Sequence, residues 1–359
     1  MSWAQAEFHD LELGDARRTQ RLIKLVDDLS AQPTGSIPLA CGGWPETKAA
    51  YRLLDNPAVE WREILDIHTT RTVERMAGQA VVLCIQDTTE LDFTTQPGIA
   101  GLGRLSYEAQ HGLYLHPTLA VTPAGLALGV LDAWMWARKP KDQPDIKEST
   151  RWVEGYEIVA DLAETVPEPR LVYVADREGD LRALIDAAAR RGAPVDWLIR
   201  SQHNRKTTTG EKLWDRLAQS DPLGEVEFIL PAAPDRPARL VRQTLYRTVV
   251  TLPAHHGQPA VTVTALLARE EQPPAGEKAI EWRLLTNRAA DTLEAVVELI
   301  DWYRKRWLIE IFFRIWKSGC RVEALQLGTL ERLERALVIY LIIAWRILHL
   351  VTWGRDGPN

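Results

Sequence analysis

The sequence predicts an α/β fold with a small helical region ahead of it and a mainly β segment inserted into it. Three observations lead there. Between residues 80 and 190, short apolar runs alternate with helical periodicity. Residues 202–281 carry Pro and Gly clusters between alternating segments. Residues 301–321 form one long periodic stretch with no Pro, and no Gly before Gly319.

Residues 1–60 read as compact and helical. Gly14-Asp15 precedes ARRTQRLIKLVDDL, an amphipathic helix whose polar side holds Arg17, Arg18, Arg21 and Lys24. A loop, QPTGSIPLACGGWPE, leads to a second helix with Lys48, Tyr51 and Arg52, stopped by Asn56-Pro57. Basic helices in small modules contact DNA backbone. A plain packing module fits equally well, because the segment holds nine acids against six Lys or Arg.

Ala80 to Ile85 is an unbroken apolar run, as in a strand buried on both faces, and Asp87 sits just past it. Tyr114 to Val121 and Leu126 to Trp136 read as two strands joined by Pro123-Ala124-Gly125. KESTRWVEGYEIVADLAETV is a helix, Leu171 to Ala175 a short strand ended by Asp176, and Leu181 to Arg190 another helix. Two buried strands thus each deliver an aspartate at the C-terminal end, where open sheets build their sites. An aspartate there is also an ordinary turn residue.

Pro and Gly then cluster at 222–237 and 252–259, around alternating segments at Leu240 to Thr251 and Ala260 to Ala268, followed by EWRLLTN. His255-His256 has no partner at metal-ligand spacing and reads as surface. In the helix expected over Asp301–Arg321, Tyr303, Arg306, Glu310 and Lys317 share an arc of roughly 60°, with Arg314 beside them. Leu308, Ile309, Phe312, Phe313, Ile315 and Trp316 fill the opposite side. Glu310 is the single acid between Asp301 and Glu323, among six Lys or Arg. A solvated charged face is one reading; a metal-ligating carboxylate in a phosphate-binding groove is the other. The apolar run Ala336 to Trp353 contains Arg346 and His349, which favours a buried core helix or a subunit contact over a membrane span.

Composition narrows the class. The 359 residues are 46% hydrophobic and 26% charged, with room for two or three domains. Three scattered cysteines (Cys41, Cys84, Cys320) suggest neither a disulfide framework nor a zinc cluster, and the N-terminus is no signal peptide, so a cytoplasmic location is expected. The net charge of −6 hides local basic stretches, six bases against two acids in 301–321 and three bases without an acid in 200–206. Fourteen tryptophans leave some available for stacking on bases.

Three carboxylates, from two strand ends and a helix, can hold two divalent cations for in-line phosphoryl transfer. No P-loop, GxSxG, HExxH or CxxC appears to support a rival site type.

Here a resemblance becomes specific. Tyr303-x2-Arg306-x3-Glu310-x6-Lys317 resembles the Y-R-E-K signature of bacterial DDE transposases of the insertion-sequence-four family, transposon-five type. IQDTT and VADREGD resemble the flanks of that family's catalytic aspartates. KEST with Trp152, RSQHNRK, and LGDARRTQRL…AAYRLLDNP resemble further blocks, so the likeness runs from about Phe8 to Leu350. It implies an RNase H-like catalytic core with a β insertion. The division would be a helical end-binding domain at 1–70, core at 75–200, insertion at 201–281, and core again at 282–359.

By the same resemblance, Asp87, Asp176 and Glu310 would bind two Mg²⁺ ions, with Mn²⁺ as a substitute. Tyr303, Arg306 and Lys317 would contact DNA near the cleaved strand, and Trp282 would stack on a flipped base, although it also suits a plain core position. Arg200, Arg205 and Lys206 would touch DNA backbone, and Arg17, Arg18, Arg21, Lys48 and Arg52 the transposon end. The implied partners are inverted-repeat ends, target DNA and a second copy of the chain in a synaptic dimer, at the bacterial nucleoid and not a membrane. Relatives continue into a helical dimerisation region, whereas this chain stops at Asn359. That keeps an alternative open: a truncated DNA-binding regulator or inhibitor that does not transpose.

Overall fold

A computed structural model describes residues 1–140, 142–166, 168–230, 232 and 237–356. Five helices come first: α1 (Trp3–Phe8), α2 (Ala16–Ala31), α3 (Ile37–Cys41), α4 (Trp44–Leu54) and α5 (Trp61–Met76). Strands β1 (Val81–Gln86), β2 (Thr89–Asp92), β3 (Gly103–Arg104), β4 (His111–Val121) and β5 (Ala127–Trp136) follow. The chain continues through α6 (Thr150–Thr165), β6 (Arg170–Ala175), α7 (Arg182–Arg190), β7 (Asp196–Arg200) and α8 (Leu213–Ala218). Then come β8 (Pro222–Leu230), β9 (Arg239–Leu252), β10 (Val261–Arg269) and β11 (Glu281–Thr286), and last α9 (Leu293–Lys305), α10 (Trp307–Arg314) and α11 (Leu330–Asp356). The expected α/β class, with helices leading and a mainly β segment within, is what the chain adopts.

The residues fall into two units, Met1–Arg151 with Trp307–Asn359, and Trp152–Arg306. In the first, β4 is the spine. It pairs antiparallel with β5 over Tyr114–Val121, so β1 and β2, which pair with the same stretch, must share its other edge. Helix α11 lies in this unit against β5, α5, α2, α4 and α10. By length and composition it could cross a membrane, but 72% of its apolar window is buried within the protein. Trp345 and Tyr340 are fully buried. Such a side chain contributes on the order of 1.5–3 kcal/mol by leaving water. Arg346 and His349, which interrupt the apolar run, fit because His349 is bonded to the Ala127 carbonyl (2.7 Å) and Arg346 reaches over the Trp3 ring.

In the second unit β6 and β7 are parallel, joined through α7, and β7-β11-β10-β9-β8 continue antiparallel. Strands β2, β3, β7 and β8 are not in the sequence reading. Strand β8 runs through residues read there as a Pro/Gly break, because only Pro222 and Gly224 interrupt an otherwise alternating run, and they sit at its start beside a register shift. The rest of that cluster, 231 and 233–236, lies outside the described residues.

The single helix expected over Asp301–Arg321 is a correction. Helical bonding ends at Lys305, resumes at Trp307, widens into a π turn over Ile315–Gly319, and stops with Arg321 in the left-handed region (φ 52°). A π turn holds more residues than an α turn. The one-face placement of Tyr303, Arg306, Glu310 and Lys317 therefore does not follow from a uniform period.

Candidate active site and DNA-contact surfaces

In the first unit, Asp87 sits where β1 gives way to β2. The register is the same on both sides of it, Gln86 opposite Thr118 and Thr89 opposite Leu115. The two strands are thus halves of one, broken at Asp87-Thr88, and the residue opposite Asp87 is Pro117. The Phe93 amide donates to the His111 carbonyl (2.9 Å), which marks odd-numbered β4 residues as those bonding toward this edge. Pro117 is therefore where an N–H should reach the Asp87 carbonyl, and proline has none. The Thr88 amide instead donates to Asp87 Oδ1 (2.8 Å).

Beneath this break lies His116, fully buried between Thr88 (2.8 Å) and Gln86 (3.1 Å). Burial and the Arg151 charge push its imidazole down to about 3.

Glu310 is half-buried on α10, whose Ile309, Phe312 and Phe313 face the core. Lys317, in the π turn, donates to the Glu90 carbonyl (2.7 Å) and pairs with Glu323 (3.4 Å). Glu323 in turn accepts the Asp92 amide (2.9 Å), tying this turn to β2. Lys317 and Arg321 also line an open cavity of about 440 Å³ with Thr95, Gln96 and Ser318.

In the second unit, Asp176 ends β6 and caps a short turn, its Oδ1 accepting the Glu178 amide (2.8 Å). A Cβ on Gly179 would come within 2.6 Å of that of Ala175, so the turn closes only over glycine. Asp180, fully buried, receives the amides of Gln202 (2.6 Å) and His203 (2.9 Å) and an ion pair from Arg205. Sequence reasoning missed Asp180; its partners lie more than twenty residues on, and no spacing rule connects them.

Burial raises the Tyr303 phenol, while the nearby charges of Arg306 and Arg200 oppose that and Asp176 adds to it. Its hydroxyl is buried close to Arg306 without a well-formed hydrogen bond. Four of the residues singled out from sequence, Asp176, Arg200, Tyr303 and Arg306, are thus brought together here. Trp282 is half-buried, stacked on Phe228 (5.5 Å between centroids) and edge-on to Tyr303 (6.1 Å). Arg200 donates to the Glu281 carbonyl (3.3 Å), Arg205 is engaged by Asp180, and Lys206 is exposed.

In the helical region, much of the α2 cationic face is already paired: Arg18 with the Leu13 carbonyl (2.9 Å), Arg21 with Glu46, Lys24 with Asp28 (3.1 Å). Arg17 is exposed beside Asp15. Helix α4 is more open. Lys48, Tyr51 and Arg52 are exposed there with Trp44, which is 73% exposed. These positions are four, seven and eight residues from Trp44, one helix face. Gly42-Gly43 and Pro45 around Trp44 suggest a loop, but proline in a first turn begins a helix, and Trp44 opens α4.

Carboxylates are the oxygen donors that hard divalent cations take. Among the described residues, no three His, Cys, Asp or Glu side chains are grouped closely enough to hold a metal ion.

Comparison with known families separates the possibilities. Residues 155–346, more than half of the chain and including Asp176 and Glu310, match the family model described as a transposase DDE domain. The chain belongs to the DDE transposase family. Residues 1–59, containing α2 and α4, match a second family model, transposase DNA-binding. Asp87 lies between the two matched segments. DDE domains are generally dependent on divalent metals. The chain is also similar to a piggyBac transposase solved in a synaptic complex with hairpin DNA, at 11% identity and a TM-score of 0.42, over 85% of this chain. It spans 54% of that protein's length.

Proposed function

We propose that this DDE transposase is a cut-and-paste enzyme of the insertion-sequence-four family, transposon-five type. The observation that carries the reading is the DDE match across Asp176 and Glu310, with Asp87 just beyond a buried strand ahead of it. Asp87, Asp176 and Glu310 would hold the metal, Mg²⁺ by preference with Mn²⁺ as a substitute. When bound, a pair of such ions supplies an activated water or hydroxyl and stabilises the leaving oxygen. Mg²⁺ keeps several waters and takes substrate phosphate oxygens, so one or two carboxylates suffice for each ion.

The chain's own residues would grip and orient the DNA. Tyr303, Arg306 and Lys317 hold phosphates near the scissile bond, Lys317 by exchanging its Glu323 partner for a phosphate oxygen. Trp282 offers a face to a flipped base, and Arg200 and Lys206 meet the backbone. Arg205 serves by shaping its loop. Arg17, Arg18, Arg21, Lys48 and Arg52 read or hold the inverted-repeat end, in a helical domain spanning about residues 1–70. The core would occupy 75–200 and 282–359, with the insertion at 201–281.

The reaction begins with water attacking the end phosphodiester to free a 3′-OH. That hydroxyl attacks the opposite strand to form a hairpin, water reopens it, and the freed 3′-OH attacks target DNA. No covalent enzyme intermediate is involved. A synaptic homodimer at the bacterial nucleoid is the working form.

The test is cleavage of a duplex carrying the element's inverted-repeat end, with and without Mg²⁺, by the wild type and by Glu310→Ala. Metal-dependent nicking that disappears with Glu310 is expected. Cleavage that survives the substitution, or that shows no preference for the end over random duplex, overturns the reading.

A further inference from the structure

We infer that His116 is a positioning residue for Asp87, acting through the hydroxyl of Thr88. The inference rests on the proposed metal-binding role of Asp87. Its physical basis is the strand break. At most positions in a sheet, ladder bonds hold the backbone and hence the side chain. At Asp87 the ladder bond from residue 117 is absent, because that residue is proline. Beside this break the structure places a chain of side-chain bonds.

The direction of each bond can be deduced. The Gln86 amide nitrogen donates to Thr118 Oγ1 (2.6 Å), so the Gln86 oxygen faces His116 Nε2 (3.1 Å). An amide oxygen only accepts, so Nε2 carries the ring proton. Nδ1 is then an acceptor, and the Thr88 hydroxyl donates to it (2.8 Å). Gln86, His116 and Thr118 are all about 1% exposed, so no water competes for the bonds among them, while Thr88 is half-buried. The residues on either side of Asp87 are therefore both fastened to one neutral imidazole. Thr88, so fastened, turns its own amide onto Asp87 Oδ1 (2.8 Å). Fixing the carboxylate's rotamer in this way is how outer groups tune a metal ligand, and their loss typically lowers affinity or activity about 10–100-fold.

The experiment compares Thr88→Val, Thr88→Ser, His116→Leu and Asp87→Ala in the full chain. Three quantities are measured: end cleavage against Mn²⁺ concentration, end binding without metal, and the His116 tautomer by ¹⁵N NMR. Thr88→Val is nearly isosteric and removes only the hydroxyl donor, so it answers even where His116→Leu misfolds.

We expect Thr88→Val to raise the half-saturating Mn²⁺ concentration about 10-fold or more, with metal-free binding unchanged, and Thr88→Ser to stay within about twofold of wild type. The wild-type ring is expected as the Nε2–H tautomer. If Asp87→Ala abolishes cleavage but Thr88→Val leaves the Mn²⁺ dependence unchanged, positioning by His116 is wrong while the role of Asp87 stands. An Nδ1–H tautomer also overturns it. If Asp87→Ala itself cleaves normally, the role of Asp87 fails and the inference falls with it.

Discussion

The ends of β1 and β6 carry the same residue in the same local setting and hold it by different means. Both strands are buried apolar runs, both end in an aspartate, and each aspartate accepts a nearby backbone amide at 2.8 Å. Beyond β1, where a proline opens the ladder, the bonds from Gln86 to Thr88 join neutral groups: amides, an imidazole and a hydroxyl. Beyond β6 it is charged: Asp180, four residues on, binds Arg205 and two amides and so draws loop 201–206 against the Asp176 turn. A buried ion pair is rigid but fails badly when one partner is lost, whereas a neutral network loses one bond at a time. The contrast has measurable consequences.

The largest is at Asp180. Asp180→Ala leaves Arg205 only the residue-180 carbonyl (2.7 Å) in place of its carboxylate partner and two amides unsatisfied, and should destabilise by about 3–5 kcal/mol. Urea denaturation checks the size, and hydrogen exchange checks its place: amides of 201–206 should lose protection while those beside Thr88 keep it. Equal loss at both would show that the two strand ends are not independently held.

Acid provides the next test. The first unit also buries charge under α1 and α5. Glu7 lies between His68 and Arg75 (2.9 Å). Burial acts to raise the Glu7 carboxyl, and the hydrogen bonds from His68 and Arg75, with the Arg75 charge, outweigh it and hold it below the usual carboxylate range. His68 is the neutral partner, because burial lowers its pKa and its Nε2 accepts the Val130 amide (3.0 Å). A carboxyl depressed on folding stabilises above its unfolded value, near 4.5, and loses that contribution as pH falls toward 2. The loss is about 1.4 kcal/mol per pH unit across that window. Stability from pH 6 to 2.5 should fall accordingly in the wild type and much less in Glu7→Gln. A parallel slope in both would remove Glu7 as the acid-sensitive group.

A smaller effect is expected at Gly179. An added methyl meets Ala175, and relieving that contact should cost about 1–3 kcal/mol. Gly179→Ala should therefore displace Asp176 and slow cleavage, with DNA binding retained. An unchanged rate would mean that the turn can give without moving the carboxylate.

Both aspartates were legible because an apolar run that stops at a polar residue is visible in one dimension. Their fastenings were not. The role of Pro117 depends on strand register, which composition does not encode, and Asp180 meets Arg205 only after α7 and β7 bring the loop back. The Asp301–Arg321 stretch shows the reverse failure. Its periodicity was clear, but no Pro or Gly marks the interruption at Arg306, and the π turn at Ile315–Gly319 leaves the residue pattern intact. The aromatic and basic face of α4 was half read: Lys48 and Arg52 as cations, Trp44 as loop.

The finest probe of the contrast is Pro117→Ala. It restores an N–H where the ladder lacks one, allowing β1 and β2 to close into a continuous strand through the Asp87 carbonyl. The new bond is worth roughly 0.5–1.5 kcal/mol net. Losing proline loosens the unfolded chain by roughly 0.4–1 kcal/mol in the opposite sense. Stability should thus change by less than about 1 kcal/mol, and the thermal midpoint should barely move. Activity is the sensitive readout, because a closed ladder would pull Asp87 toward ordinary strand geometry against the hold of Thr88. Slower end cleavage, with a newly protected amide at residue 117, would show that the break itself sets the carboxylate. A protected amide with unchanged cleavage would show that the Thr88 hydroxyl on His116 is enough, and that the proline only permits what the imidazole directs.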